Sequence, residues 1–117
     1  MTAGFDRTLR RLRKTAPVLV IADTPTFPYS PPVCLSEHLR DVARCTEPAA
    51  NVLDPSYTAM ERAAAKAAGA HFLDVNPILC PDGVCAPIHG NLLVYANANH
   101  LTETFTQTLA PALAAAM

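Results

Sequence analysis

The 117-residue sequence contains no tryptophan, and only 6% of its residues are aromatic. This scarcity argues against a surface on which nucleic-acid bases or sugars stack. No apolar run approaches the roughly 20 residues that a membrane-spanning helix needs, so no transmembrane segment is predicted. The formal net charge of −1 differs from the strongly basic composition of nucleic-acid-binding domains, and we expect no nucleic-acid partner. Because half of the residues are hydrophobic, the sequence predicts a small globular domain.

Positive charge is concentrated near the N-terminus, where five of the nine basic residues lie within the first 14 positions. In this segment Phe5, Leu9 and Leu12 are spaced as one apolar face of a helix. The charged side is either a solvated helix face or a surface that binds a membrane. A cleaved signal peptide is disfavoured, because the apolar run over residues 17–22 is short and ends at Asp23.

Two apolar segments, residues 18–22 and 70–75, predict parallel strands joined by a helical crossover. The best-marked helix of that crossover begins after Asp54, an N-cap residue, and ends at Gly69. Two long strands are fewer than the five or six of a doubly wound sheet. We therefore predict an α/β fold that forms part of a larger domain.

The other segments carry weaker signals. Four prolines within residues 23–33 predict a loop, followed by a helix over 35–43. Residues 92–95 predict a short strand. A terminal helix is expected from about Thr102, with a kink at Pro111 because proline removes a backbone donor.

Four cysteines, at positions 34, 45, 80 and 85, allow three disulfide pairings. The pairing that is local in sequence joins Cys34 to Cys45 and Cys80 to Cys85. A four-cysteine zinc module is the alternative, but the spacings C-x10-C and C-x4-C differ from the short paired knuckles of structural zinc sites. We favour disulfides, which predict an oxidising compartment outside the cytoplasm.

The most informative motif is Tyr95-Ala96-Asn97-Ala98-Asn99-His100-Leu101-Thr102. A polar residue three positions before a histidine, followed by Leu-Thr at the start of a terminal helix, resembles the Asp-x-x-His block of SGNH (GDSL-like) hydrolases. The segments 20–25, 80–85, 90–95 and 109–113 extend the resemblance from about residue 17 to the end of the chain. In their order they resemble the C-terminal SGNH domain fused to integral-membrane acyltransferase-3 proteins, which O-acylate cell-envelope polysaccharides.

The resemblance implies a partial three-layer, flavodoxin-like parallel sheet with flanking helices, as a single, incomplete SGNH-type domain over residues 1–117. The implied chemistry is acyl transfer to a carbohydrate hydroxyl, or hydrolysis of such an ester, through a serine acyl-enzyme without metal or cofactor. The implied partners are a polysaccharide or acyl-donor substrate, the missing N-terminal segment and the membrane acyltransferase domain. The implied location is periplasmic or at the cell surface.

The sequence departs from the family at the nucleophile. SGNH enzymes are named for a serine, a glycine, an asparagine and a histidine, and of these only the histidine has a counterpart, His100. No Gly-Asp-Ser is present, and no serine lies at a strand-to-helix elbow where a nucleophile would be exposed. The serines are Ser30, Ser36 and Ser56.

The second departure is Asn97, which stands where the family carries aspartate. An amide can orient the imidazole of His100 but cannot supply the negative charge that stabilises its protonated form. Asn99 is a competing neighbour, and the sequence leaves open which asparagine contacts His100.

These departures predict that the chain alone is inactive as an acyltransferase or esterase, with His100 and Asn97 in the catalytic positions. One alternative is a non-catalytic SGNH remnant that acts as a binding or interaction domain. The zinc module is a third. An exposed sheet edge is also expected to favour a homodimer.

Overall fold

The computed structural model describes residues 2–117, which form two compact units. The first unit comprises the described N-terminal residues up to Asp23, with Asp54–Asp74 and Ala112–Met117. The second comprises Thr24–Leu53 and Val75–Pro111. The single SGNH-type domain over residues 1–117 stays a prediction.

Short helices and short strands alternate along the chain. The helices are α1 (Thr2–Arg13), α2 (Pro31–Glu37), α3 (Ala49–Val52), α4 (Pro55–Ala68), α5 (Asn76–Leu79), α6 (Glu103–Gln107) and α7 (Ala110–Ala116). The strands are β1 (Leu19–Ile21), β2 (Glu47–Pro48), β3 (His71–Leu73), β4 (Val84–Cys85), β5 (Ile88–His89) and β6 (Leu92–Leu93). Among the described residues, no helix has the length and apolar character required to cross a bilayer.

The first unit contains a parallel pair of strands. In β1 and β3, Leu19 lies opposite His71 and Ile21 lies opposite Leu73, which confirms the predicted strands and their crossover. Within residues 2–117 this parallel sheet has two strands, and the other pairs, β2–β4 and β5–β6, are antiparallel. The fold is therefore mixed α/β, and the three-layer flavodoxin-like arrangement stays a prediction.

Helix α4 begins and ends where its caps predict. The Asp54 carboxylate accepts hydrogen bonds from the backbone N–H groups of Ser56 and Tyr57, which satisfies two donors of the first turn. At the other end Gly69 adopts φ 71°, a left-handed conformation that glycine reaches without a Cβ clash. Both ends are fixed by local chemistry, so they were predictable from sequence.

Helix α1 packs on α4 through fewer apolar residues than predicted. Leu9 is buried with Val20, Ala64 and Ala65 in one hydrophobic cluster. Leu12, predicted on the same buried face, is 49% exposed. The facing side of α4 consists of alanines, whose small side chains cover Leu9 but are too short to cover a second leucine.

A buried carboxylate joins α4 to the end of β1. Glu61 is only 7% exposed, and both its carboxylate oxygens accept the backbone N–H of Asp23, at 3.1 and 3.2 Å. Burial raises the pKa of Glu61 above its ordinary value, and the hydrogen bond from Asp23 opposes this shift. The negative charges of Asp23 and Asp74 raise it further. Glu61 was not predicted as a buried residue, because the Asp23 N–H that it accepts follows β1, far from α4 in sequence.

Glu61 should make the stability of the first unit depend on pH. Because its pKa is raised in the folded state, the folded chain holds this proton more tightly than the unfolded chain does. The free energy of unfolding should therefore fall as pH rises through the Glu61 titration range. Glu61→Gln should flatten this dependence, whereas Glu61→Ala removes the carboxylate that accepts the Asp23 N–H and should cost about 1–3 kcal/mol. Urea unfolding across acidic to neutral pH measures both effects.

The exposed Glu37→Gln is the matched control for Glu61→Gln, since it removes the same charge from the surface of α2. A pH dependence that is identical in Glu61→Gln and the unmodified chain would contradict this account.

The helix predicted over residues 35–43 was wrong at both ends. Helix α2 begins at Pro31 and ends at Glu37. A proline in the first turn costs no hydrogen bond, because the N–H it lacks would have no partner there. The chain then turns at His38, and Val42–Cys45 form a short 3-10 helix.

The predicted terminal helix is two helices. Thr102 caps α6, its hydroxyl oxygen accepting the Phe105 N–H at 3.1 Å. Helix α6 ends at Gln107 and α7 begins at Ala110, so Pro111 lies in the first turn of a new helix and does not kink a continuous one.

Candidate functional site

All four cysteines are in disulfides. Cys34 is bonded to Cys45 and Cys80 to Cys85, with S–S distances of 2.05 and 2.02 Å, which confirms the pairing local in sequence. Ligand atoms of Cys34, Cys45 and His38 lie within 4.8 Å of one another. However, these two sulfurs are bonded to each other, so the thiolates that a four-cysteine zinc module requires are absent from this structure.

The disulfides frame the segment that precedes the histidine motif. Strand β2, two residues after Cys45, pairs with β4 so that Glu47 lies opposite Cys85. Shortly after Cys85, the Pro87 carbonyl accepts the Val94 N–H at 2.9 Å. The two disulfide-linked segments are thus joined through the β2–β4 pair, and the segment after Cys85 is hydrogen-bonded to Val94, directly before the histidine motif.

The histidine motif is a closed loop. An isolated bridge pairs Tyr95 with Leu101, and the Ala96 N–H donates to the His100 carbonyl at 2.8 Å. Outside this bridge, the Thr102 N–H donates to the Val94 carbonyl at 2.9 Å. Between these ties, the side chains of Asn97, Asn99 and His100 are exposed at the tip of the loop.

Asn97, not Asn99, contacts the imidazole. Its Oδ1 accepts the backbone N–H groups of Asn99 and His100, at 3.0 and 2.9 Å, and lies 3.0 Å from His100 Nδ1. The spacing of three residues therefore folds into an Asx-type turn that brings the two side chains together.

This arrangement fixes which imidazole nitrogen carries the proton. Backbone N–H groups only donate, so the Asn97 atom that faces them is its oxygen. The same oxygen faces Nδ1 of His100, which must therefore be the protonated nitrogen of the neutral ring. The lone pair is then on Nε2, which has no hydrogen-bond partner within the described chain. A neutral imidazole with a fixed Nδ1–H and an exposed Nε2 has the orientation of a general base.

Phe27 and Tyr95 support the loop from behind. The Phe27 N–H donates to the Ala98 carbonyl at 2.8 Å, and the two ring centroids are 4.8 Å apart. Both rings are buried, and burial raises the pKa of Tyr95 to about 12. Phe27 lies in the proline-rich loop, where sequence analysis found no functional residue. Its only sequence signal is an aromatic residue among prolines.

The serines have local roles. The Ser36 hydroxyl donates to the Val33 carbonyl at 2.7 Å, and the Ser56 hydroxyl donates to the Asp54 carboxylate at 2.6 Å. Ser30 is the residue that precedes α2. None has the arrangement of a nucleophile that donates its proton to a histidine base.

The chain matches one known protein family over nearly its whole length. Residues 1–115 match the family described as SGNH domain (fused to AT3 domains). The match includes α1, and so begins earlier than the resemblance seen from about residue 17. No curated protein and no solved structure matches the chain. With its histidine motif, two disulfides and match over residues 1–115, the chain belongs to the family of SGNH domains that are fused to AT3 domains.

Proposed function

We propose that this chain supplies the histidine part of an SGNH-type acyl-transfer centre, with His100 as general base and Asn97 as the residue that orients it. The observation that carries this proposal is the triple use of Asn97 Oδ1, which holds Nδ1–H of His100 and leaves Nε2 exposed. Membership of a family of hydrolase- and acyltransferase-related domains supports the same chemistry.

The nucleophile in this proposal is a serine from a Gly-Asp-Ser segment outside this sequence. His100 Nε2 takes the serine proton as Oγ attacks the ester carbonyl of the acyl donor. The resulting imidazolium then protonates the departing alcohol, which leaves an acyl-serine. A carbohydrate hydroxyl or water attacks this ester as it gives its proton to Nε2; the imidazolium returns that proton to the departing serine Oγ, and the acyl group passes to the acceptor. No step requires a metal or cofactor.

The family also suggests the setting of this chemistry. Its SGNH domains are fused to membrane AT3 proteins, and the two disulfides are typical of a compartment outside the cytoplasm. We therefore propose that the membrane acyltransferase domain is the partner and that an envelope polysaccharide is the acceptor. The serine-bearing segment would extend the two-stranded sheet of β1 and β3, with a second copy of the chain as its competitor for the unpaired edge.

A non-catalytic remnant is the second candidate. It is favoured by Asn97, which lacks the charge of aspartate, and by serine hydroxyls that are engaged locally. Such a chain would retain the family fold as a binding domain.

Complementation tests the proposal. The chain is mixed with the Gly-Asp-Ser-bearing portion of an SGNH domain of the same family, and release of acetate from an acetylated sugar is measured. The chain alone should match buffer, even as Asn97→Asp, because a base without a nucleophile has nothing to activate. The mixture should turn over, and His100→Ala should remove this turnover.

His71→Ala is the matched control, since His71 is an exposed histidine at the start of β3. Turnover by the chain alone, or turnover of the mixture that survives His100→Ala, would refute the assignment. A stable but inactive complex on a sizing column would favour the remnant.

A further inference from the structure

We propose that one face of α1 binds the surface of an anionic phospholipid bilayer. This face comprises the exposed Arg7, Arg10 and Arg11 of α1, together with the exposed Lys14 in the turn directly after it, and is called the basic face. The proposal rests on family membership and on the geometry of α1, and does not depend on the role of His100.

The packing of α1 turns the basic face outward. Leu9 is buried against Ala64 and Ala65 of α4. Arg7 and Arg11 are four residues apart on α1 and lie on the side of the helix opposite Leu9, and Lys14 follows in the turn after Arg13. The Leu9 side of the helix is thus occupied by the protein, and the charged side is presented to solvent.

Little negative charge compensates this face. Asp6 is the only acid in α1, and its carboxylate lies 3.0 Å from Nε of Arg10. No salt bridge to Arg7, Arg11 or Lys14 is formed within residues 2–117. Asp6 offsets the charge of Arg10, and the basic face keeps an excess of three positive charges (four cations less one carboxylate).

The charge is also divided unevenly between the two units. The first unit contains seven of the nine lysines and arginines and five carboxylates, a net charge of +2. The second contains two arginines and five carboxylates, a net charge of −3. A chain whose total charge is nearly zero therefore carries a concentrated positive surface, which attracts anionic partners over about one Debye length.

A bilayer is the anionic partner that best fits these observations. SGNH domains of this family are fused to membrane AT3 domains, so lipid headgroups are the anionic surface near which such domains work. Because Leu9 is buried in the protein, α1 would lie on the headgroups through charge, without inserting an apolar face. Such binding depends on anionic lipid and weakens with salt.

Vesicle flotation tests this proposal. The full chain is mixed with vesicles of phosphatidylcholine, or of equal parts phosphatidylcholine and phosphatidylglycerol, and floated through a density gradient, which separates bound protein from sinking aggregates. It should float with the mixed vesicles at low salt, should not float with phosphatidylcholine alone, and should be released at high salt. Each cation near an anionic surface changes partitioning about five-fold, so Arg7→Glu/Arg11→Glu, which removes two cations, should lose at least about 25-fold.

Arg40→Glu/Arg44→Glu is the matched control, because it makes the same change in net charge on the second unit. Circular dichroism confirms that each variant keeps its helices. Equal losses in both double variants, or no flotation of the unmodified chain with anionic vesicles, would overturn the proposal. If the chain binds an anionic polysaccharide but does not float with anionic vesicles, the proposal would likewise be overturned in favour of a carbohydrate partner.

Discussion

Asn97→Asp is expected to raise acyl transfer about 10–10³-fold once the serine-bearing segment is present. A carboxylate at position 97 would accept the same three hydrogen bonds from Asn99 and His100 as the amide oxygen does now. It would add a negative charge beside Nδ1, which stabilises the imidazolium formed when Nε2 takes the serine proton.

The expected gain is smaller than the effect of this position in serine proteases. There, replacing the triad aspartate by asparagine lowers kcat about 10⁴-fold, in part because the imidazole adopts the wrong tautomer. Here two backbone N–H groups already hold Oδ1 of Asn97 toward Nδ1, so the tautomer is correct and only the charge is lacking. The exposure of His100 reduces the value of that charge further.

Initial rates of the complemented protein on an acetylated sugar measure this gain. Asn99→Asp is the matched control, since it introduces the same charge two residues away but only the Asn99 backbone joins the network. The control should change the rate less than the Asn97 variant does. Equal gains from both variants would show that general electrostatics, not the Asn97–His100 contact, controls the rate.

Removing both disulfides should strongly destabilise the second unit. Loops of these lengths contribute about 2–3 kcal/mol each in the chain-entropy model, so together they match much of the stability of a small domain. Cys45 and Cys85 are fully buried, which adds packing contacts to this entropic effect. Urea unfolding should show each pair variant, Cys34→Ala/Cys45→Ala and Cys80→Ala/Cys85→Ala, destabilised by several kcal/mol.

The two disulfides should also be coupled. Glu47 lies opposite Cys85 in the β2–β4 pair, so loss of one cross-link loosens the strand that positions the other. The combined loss in the four-alanine variant should therefore differ from the sum of the two pair variants. Additive losses would contradict this coupling, and an unchanged midpoint in excess dithiol would contradict a stabilising role for either disulfide.

The features that were predicted correctly from sequence are those formed by residues close together in the chain. The α4 caps at Asp54 and Gly69 and the near-neighbour disulfides were read from sequence, because each is set by residues close together in the chain. The start of α2 at Pro31 was missed, since a run of prolines suggests a loop unless one of them occupies the first turn of a helix.

Features that depend on tertiary contact were not predictable in this way. Glu61 resembles a surface residue of α4 until the end of β1 brings the Asp23 N–H to it. The choice between Asn97 and Asn99 depends on the turn geometry that places two backbone donors on one oxygen. The His100 position could be read from its motif, but the tautomer of its ring required the structure.

The first unit is assembled from separate segments of the chain, which constrains the order in which the protein can fold as it is synthesised. Helix α1 and strand β1 are synthesised first, but their partners, α4 and β3, follow only after Thr24–Leu53 has been made. Cys34 and Cys45 both precede α4, so their disulfide can form while the N-terminal segment still lacks a sheet partner. Pairing strands distant in sequence is slow, and Val20 remains without its core neighbours Ala64 and Ala65 throughout this interval. Folding outside the membrane would therefore expose an unpaired apolar strand until the second half of the chain arrives, which makes this stage the one most prone to aggregation.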